Sequence, residues 1–200
     1  MSLGAALVGV LHVLPQTDGI SAVEDTISEY AFTSVHWVFS LAVLLVAVGT
    51  GCVFAALIAT RVVRRLSLTS VTAGLWTAGL LLIVIFEKTN WDVGPSTTGT
   101  IHRIATIVAF LALPLAVIAG AQTALRHSRG WRLSTQLLAV CSWLCFGIIF
   151  AAVGRMAAGG PPWWESIPLG LVQRGIGFSA VLAVAVLALG LAASTRSERD

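Results

Sequence analysis

Six long apolar segments run through this sequence, and they constrain the fold more than any other feature. An α-helix needs about 20 apolar residues to cross the hydrocarbon core of a bilayer, and five of the segments reach that length. The segments cover residues 2–14, 34–60, 68–86, 100–125, 134–156 and 169–193. Charged residues make up only 10% of the chain, far below the quarter that is usual in soluble domains. The pattern predicts an all-α integral membrane bundle of six transmembrane helices that forms one domain, residues 1–200.

The first segment, residues 2–14, is too short to cross a bilayer of ordinary thickness. Either the true N-terminus lies upstream of Met1, or a short helix sits where the bilayer is thinned. A signal peptide fits less well, because no basic region precedes the apolar stretch and no small-x-small cleavage site follows it.

The basic residues of the connections predict how the bundle is oriented. Arginines lie in the second and fourth connections and at the C-terminus: Arg61, Arg64, Arg65, Arg126, Arg129, Arg132, Arg196 and Arg199. The other connections contain Lys88 and seven acidic residues. The positive-inside rule therefore predicts a multi-pass protein of the cell (inner or plasma) membrane with both termini in the cytoplasm. The net charge of +3 reflects topology, so no nucleic-acid partner is expected.

The longest connection, residues 16–33, is predicted to form a short amphipathic helix on the outer surface. Two matches to the S-x-x-E capping box lie within it, at residues 21–24 and 26–29. Apolar side chains follow at helical spacing: Val23, Ile27 and Tyr30.

Polar residues within or beside the segments gather near the predicted outer face. His102 lies about one turn inside the fourth segment, and Arg174 about one and a half turns inside the sixth. Charge within a bilayer is costly and usually serves a function. We therefore predict an outward-facing polar pocket that binds a lipid headgroup or another amphiphile. The candidate ligand-binding residues are Glu29, Asp92, His102, Arg103, Arg155 and Arg174, supported by Ser28, Tyr30, His36, Glu87 and Gln173.

Several other interpretations stay open. The arginines could form structural ion pairs with Glu29, Glu87 and Asp92. A membrane enzyme could use His102 or His36 with a carboxylate, although no known catalytic motif is present. A structural or assembly subunit without a ligand is a third interpretation. Haem b between the two histidines is a minor alternative; no metal site and no other cofactor are predicted. Membrane lipids are the expected partners, and a protein partner or a homo-oligomer stays open.

Three short motifs resemble a known family. Residues 27–31 read I-S-E-Y-A, Gly99 is followed by the pair at 101–102, and residues 170–174 read G-L-V-Q-R. These are similar to signatures of the bacterial domain-of-unknown-function family 998, common in actinobacteria, whose topology is similar to that of Frag/DRAM/Sfk-like membrane proteins. The resemblance covers essentially the whole chain. It implies six helices and an outward-facing cluster of Ser28, Glu29, Tyr30, Asp92, His102 and Arg174, but no reaction.

Overall fold

The computed structural model describes residues 1–91 and 93–197. Six α-helices occur in these residues: α1 (Ser2–Leu11), α2 (His36–Ala59), α3 (Leu68–Ile85), α4 (Thr97–Ala124), α5 (Arg129–Ala157) and α6 (Leu169–Ser197). Short 3₁₀ helices cover Pro15–Thr17, Ile27–Phe32 and Trp163–Glu165. No β-strand is present in the described part of the chain, and the predicted all-α class is confirmed.

Helices α2 to α6 are each long and apolar enough to cross a membrane. Helix α1 has only ten residues. At 1.5 Å per residue it is about 15 Å long, which is half of the ~30 Å hydrocarbon core. The protein is therefore a multi-pass helical membrane bundle in which a short apolar helix packs beside five helices of spanning length.

Helix ends differ from the predicted limits where polar residues continue or cap a helix. Helix α4 begins three residues before the predicted residue 100, because the Ser96 hydroxyl accepts a hydrogen bond from the Gly99 N–H at 3.0 Å. Helix α5 begins at Arg129 rather than at residue 134. An apolar pattern marks the part of a helix that lies in lipid, and the helix itself extends into its polar flanks.

Small residues bring neighbouring helices close together. At Gly79 of α3, an added Cβ atom would lie 2.8 Å from the Cβ of Ala109 on α4. At Gly4 of α1, it would lie 2.6 Å from the carbonyl oxygen of Ala42 on α2. Such contacts drive helix association in lipid. Helix α4 packs against α3, α5 and α6, whereas α1 packs mainly against α2.

The connection between α1 and α2, called the first outer connection or outer loop after its predicted side of the membrane, is helical over a shorter stretch than predicted. The Ser21 hydroxyl accepts from the Glu24 N–H at 3.2 Å, but the Ser21 N–H donates to the carboxylate of Asp25, at 2.8 Å, rather than to Glu24. Only a turn follows there, and the 3₁₀ helix begins at Ile27. We call the end formed by residues 12–35, 86–91, 93–96 and 158–168 the polar end. The opposite end, formed by residues 60–67 and 125–128, is the arginine end.

Candidate functional site

Arg174, in the second turn of α6, is the centre of the polar end. Its Nε donates to Nε2 of His12 at 2.6 Å. Its Nη1 donates to the carbonyl oxygens of Asp25 at 2.7 Å and Gly170 at 3.0 Å. Its Nη2 lies 3.5 Å from the hydroxyl oxygen of Tyr30. A half-buried guanidinium group is thus held by acceptors from α1, from the outer loop and from α6 itself.

The acceptors of Arg174 are themselves held in place. The His12 Nδ1–H donates to the carbonyl of Val8 at 2.7 Å, which leaves Nε2 as an acceptor. The Tyr30 ring is buried and meets the His12 ring edge-on, with centroids 5.5 Å apart. Because both partners are neutral groups, they orient the guanidinium without neutralising its charge.

The outer loop docks on the start of α6 through the backbone. The N–H of Gly170 donates to the carbonyl of Glu24 at 3.2 Å, and the N–H of Leu171 donates to that of Val23 at 3.0 Å. These bonds satisfy two N–H groups that a helix start leaves without intrahelical partners. An added Cβ at Gly170 would lie 2.9 Å from the Val23 carbonyl oxygen and closer still to that of Asp25. Glycine is therefore what lets the loop reach the helix.

The I-S-E-Y-A and G-L-V-Q-R motifs meet at this contact. The Gln173 side-chain oxygen accepts from the Ile27 N–H at 2.7 Å, across 146 residues of sequence. Gly170, Gln173 and Arg174 of one motif thus bind the loop that holds Ile27 and Tyr30 of the other. The physical role of both motifs is to attach the first outer loop to α6.

The ion pair of this end joins Lys88 to Glu29. Lys88 also donates to the Thr26 hydroxyl at 3.0 Å, and that hydroxyl lies 3.0 Å from the Ser28 hydroxyl. Of the residues that the structure describes, no arginine takes part in an ion pair. Glu29 therefore pairs with a lysine of the second outer connection, not with an arginine.

His102, near the start of α4, connects this helix to the end of α3. It is buried, and its Nδ1–H donates at 2.8 Å to the carbonyl of Phe86, where α3 ends. The remaining ring nitrogen, Nε2, is then an acceptor in the neutral tautomer. Gly99 makes room nearby, since an added Cβ would lie 2.7 Å from the Cα of Thr89.

An apolar cavity lies beside Arg174, which is one of its lining residues. Its volume of about 410 Å³ is within the usual range for ligand sites. The polar residues of its lining are Ser2, Ser28, His102, Thr106, Gln173 and Arg174. Aliphatic and aromatic side chains of α1, α2, α3, α4 and α6 form most of the remaining wall. Along α6 the lining runs from Arg174 to Ala185, about 16 Å of helix. The cavity is therefore polar near Arg174 and His102 and apolar along the rest of its length.

Four of the predicted site residues lie on the exposed surface: Arg103, Arg155, His36 and Glu87. None of them lines the cavity. The His36 Nδ1–H donates to the carbonyl of Thr33 at 3.3 Å. Asp92 lies outside the described residues. The assignment of these five residues to a binding site stays a prediction.

Two residues that make side-chain contacts at the polar end, His12 and Lys88, are not among the site residues predicted from the sequence. His12 follows the last residue of α1, and its place near the end of the first apolar segment already puts it at the same face as the other polar residues. Nothing in the sequence pairs it with Arg174. Lys88 is the one basic residue in the acidic outer connections, which is the signal that could have identified it as a counter-charge.

The described residues contain no group of three or more His, Cys, Asp and Glu side chains placed to hold a metal ion. Of the two histidines in the haem hypothesis, His102 lines the cavity and His36 lies outside it. The haem hypothesis stays a prediction.

The model of a family described as "Protein of unknown function (DUF998)" matches residues 2–190. No curated protein and no solved structure matches this chain.

Proposed function

The chain belongs to the DUF998 family, and we propose that it binds an anionic amphiphile of the membrane. The anionic group sits at Arg174 and the apolar chain fills the cavity beneath it. The single observation that carries this proposal is a guanidinium group, held only by neutral acceptors, in the lining of an apolar cavity.

The charge of Arg174 calls for a negative partner. A cation near or within the bilayer is costly unless an anion neutralises it. Arginine matches phosphate and carboxylate oxygens especially well, because its N–H groups form a planar fork. Its Nη2 makes only one long contact, 3.5 Å to the hydroxyl of Tyr30, and so retains donor capacity for a ligand.

The interior of the cavity favours an amphiphile over a water-soluble anion. The lining from Arg174 to Ala185 spans about 16 Å, roughly half of the ~30 Å hydrocarbon core. That depth suits an acyl chain from one leaflet. His102, which also lines the cavity, has Nε2 as an acceptor, and this favours a headgroup that carries a hydroxyl or ammonium donor beside its anion.

The other interpretations receive less support. A structural arginine network needs arginine–carboxylate pairs, and the ion pair found in the described residues joins Lys88 to Glu29. The enzyme hypothesis needs a histidine–carboxylate contact, and in the described part of the chain no histidine lies within 4.0 Å of a carboxylate. The hypothesis of an assembly subunit without a ligand predicts no cavity beneath the outer loops, whereas a cavity of about 410 Å³ lies there. We further propose that the bundle lies in the cell membrane with its arginine end in the cytoplasm, as the positive-inside rule expects.

The test is a substitution that fills the cavity and leaves Arg174 unchanged. Gly177 lines the cavity, and a Cβ added there meets no atom within 4 Å. Gly177→Leu therefore occupies the space of the acyl chain, and it also favours the helix. Gly147→Leu is the matched control, because Gly147 on α5 has equally open surroundings and lies outside the cavity lining.

Native mass spectrometry in mild detergent, with phosphatidylglycerol and phosphatidylcholine as probes, measures retention. We expect the wild type and Gly147→Leu to retain one more anionic lipid than Gly177→Leu does. Arg174→Gln should lose this lipid too, whereas Arg155→Gln, which removes an exposed arginine at the same end, should keep it. Equal retention by Gly177→Leu and Gly147→Leu would exclude the cavity as the chain site. An adduct with the mass of haem would replace the proposal with the haem hypothesis.

A further inference from the structure

A second concave surface lies at the arginine end, where α2 turns into α3. It is a groove of about 660 Å³ lined by Arg61, Arg64 and Arg65 and by the last residues of α2. We propose that this groove is a separate binding site for an anionic phospholipid, whose phosphate lies on the arginines and whose acyl chain lies along α2. This site is independent of the cavity at Arg174, because it lies at the opposite end of the bundle.

The three arginines have no counter-charge within the described structure. All three are exposed, and none of their guanidinium groups forms a hydrogen bond or ion pair with another described residue. The acidic residues of the described part, from Asp18 to Glu165, belong to the outer loops of the polar end. Three neighbouring positive charges without an internal partner are suited to bind a phosphate group.

The backbone holds the arginines in a defined turn. Arg61 has a φ of 59°, in the left-handed region where glycine usually ends a helix. Its N–H donates to the carbonyl of Ile58 at 3.1 Å, and the N–H of the buried Val63 donates to that of Leu57 at 3.1 Å. A non-glycine residue kept in a backbone conformation that favours glycine is an indication of function. The turn thereby presents Arg61, Arg64 and Arg65 on one groove.

The rest of the groove is apolar and faces the surroundings. Ala55 and Ala59 are exposed, and Ile58 between them is half-buried. Leu66, next to Arg65, is 92% exposed. Cations beside an exposed apolar strip match the headgroup and the chain of a lipid. Juxtamembrane basic residues attract the anionic lipids of the cytoplasmic leaflet, where the positive-inside rule expects this end to lie.

The experiment compares two double variants with the same loss of charge at the same end. Arg64→Gln with Arg65→Gln removes two arginines of the groove. Arg126→Gln with Arg129→Gln removes two exposed arginines that do not line it. Both are made in the Gly177→Leu background, so that the cavity at the polar end does not contribute to binding.

Titration with phosphatidylglycerol, followed by native mass spectrometry, measures the apparent affinity of each variant. We expect the groove variant to bind about thirty-fold more weakly, from two lost charges, and the control to change less than two-fold. Phosphatidylcholine should bind weakly to all. An equal fall in the two double variants would overturn the proposal, because it would indicate diffuse attraction and no built site.

Two further measurements separate the site from alternatives. Arg61→Gly removes a groove charge yet gives the turn its preferred residue, so lipid affinity should fall while the melting temperature rises. Affinity that falls only together with the melting temperature would contradict a binding role. Glycerol phosphate should compete far less well than intact phosphatidylglycerol. Equal competition would mean that the groove binds a free phosphate ester, and the lipid proposal would be wrong.

Discussion

The two ends of the bundle use arginine in different ways. At the polar end, Arg174 is half-buried and donates to side chains and carbonyls from three parts of the chain. At the arginine end, Arg61, Arg64 and Arg65 are exposed, and their guanidinium groups contact no acceptor among the described residues. The same side chain thus organises a loop where acceptors surround it, and stays available to headgroups where they do not.

The backbone shows the reverse contrast. At the polar end, Gly170 is needed because the outer loop comes too close for any Cβ. At the arginine end, Arg61 occupies a left-handed conformation that would suit glycine. Substitutions that exchange these roles should therefore change stability in opposite directions, and the first and third predictions below test this contrast. The second tests the role of the Arg174 side chain.

The largest effect is expected for Gly170→Ala. Its Cβ would overlap the carbonyls of Val23 and Asp25, which breaks the loop–helix hydrogen bonds. We expect a loss of about 3 kcal/mol of unfolding free energy from overpacking and lost hydrogen bonds. Thermal unfolding in detergent measures it. Gly147→Ala, at an open helical position, should be neutral or stabilising, and a similar loss there would show that helical glycine itself is required.

Arg174→Gln should have the next largest effect. It leaves the buried hydroxyl of Tyr30 and the carbonyl of Asp25 without their donor, at a cost of about 2 kcal/mol. Hydrogen exchange should rise in the loop at residues 23–27, which Arg174 helps to hold. Arg155→Gln should change stability by less than about 0.5 kcal/mol, because its side chain is exposed. Unchanged exchange in the loop of Arg174→Gln would remove the organising role.

Arg61→Gly should act in the opposite direction at the other end. It relieves a left-handed conformation that costs an L-residue about 1 kcal/mol or more. We expect unfolding free energy to rise by about 1 kcal/mol, after allowing for the greater freedom of glycine in the unfolded chain. Chemical unfolding in mixed micelles is the measurement. A loss of stability would mean that the Arg61 side chain makes a stabilising contact, and the contrast between the two ends would disappear.

The smallest effect is expected for Glu29→Gln, which removes the ion pair with Lys88. Both side chains are partly exposed, at 31% and 17% of their surface. Ion pairs of this kind contribute about 0.5 kcal/mol, and salt screens them. The difference between wild type and variant should therefore shrink at high salt. A loss of several kcal/mol that salt does not change would show that the pair supports the loop through the hydrogen bond from Lys88 to Thr26 and that between Thr26 and Ser28.

Much of the fold could be predicted from local sequence. Helix formation in lipid depends on the apolar character of each segment, so residues 34–60 and 68–86 predict α2 and α3 to within about two residues at each end. The short length of α1 is equally evident in residues 2–14. Limits set by polar caps, such as Ser96, were less accurate, because an apolar pattern does not include them.

The candidate site was predictable only in part. Arg174 and His102 were identified from their depth, Gln173 from its place beside Arg174, and Ser28 from the resemblance of residues 27–31 to the family signature. All four line the cavity. Arg103 and Ile104 are exposed on α4, whereas His102 is buried. His102 and Arg103 are nevertheless adjacent in sequence. One residue turns the side chain by about 100° around a helix, so depth alone does not distinguish them.

The sequence by itself determined which segments are helices in the membrane and at which end each charge lies, because hydrophobicity and charge are properties of single residues. The tertiary structure decided which groups meet. It joined His12 and Tyr30 to Arg174, attached the loop at Ile27 to Gln173, and gave Glu29 a lysine partner. These contacts depend on helix rotation and on packing between segments up to 162 residues apart, which no local pattern contains.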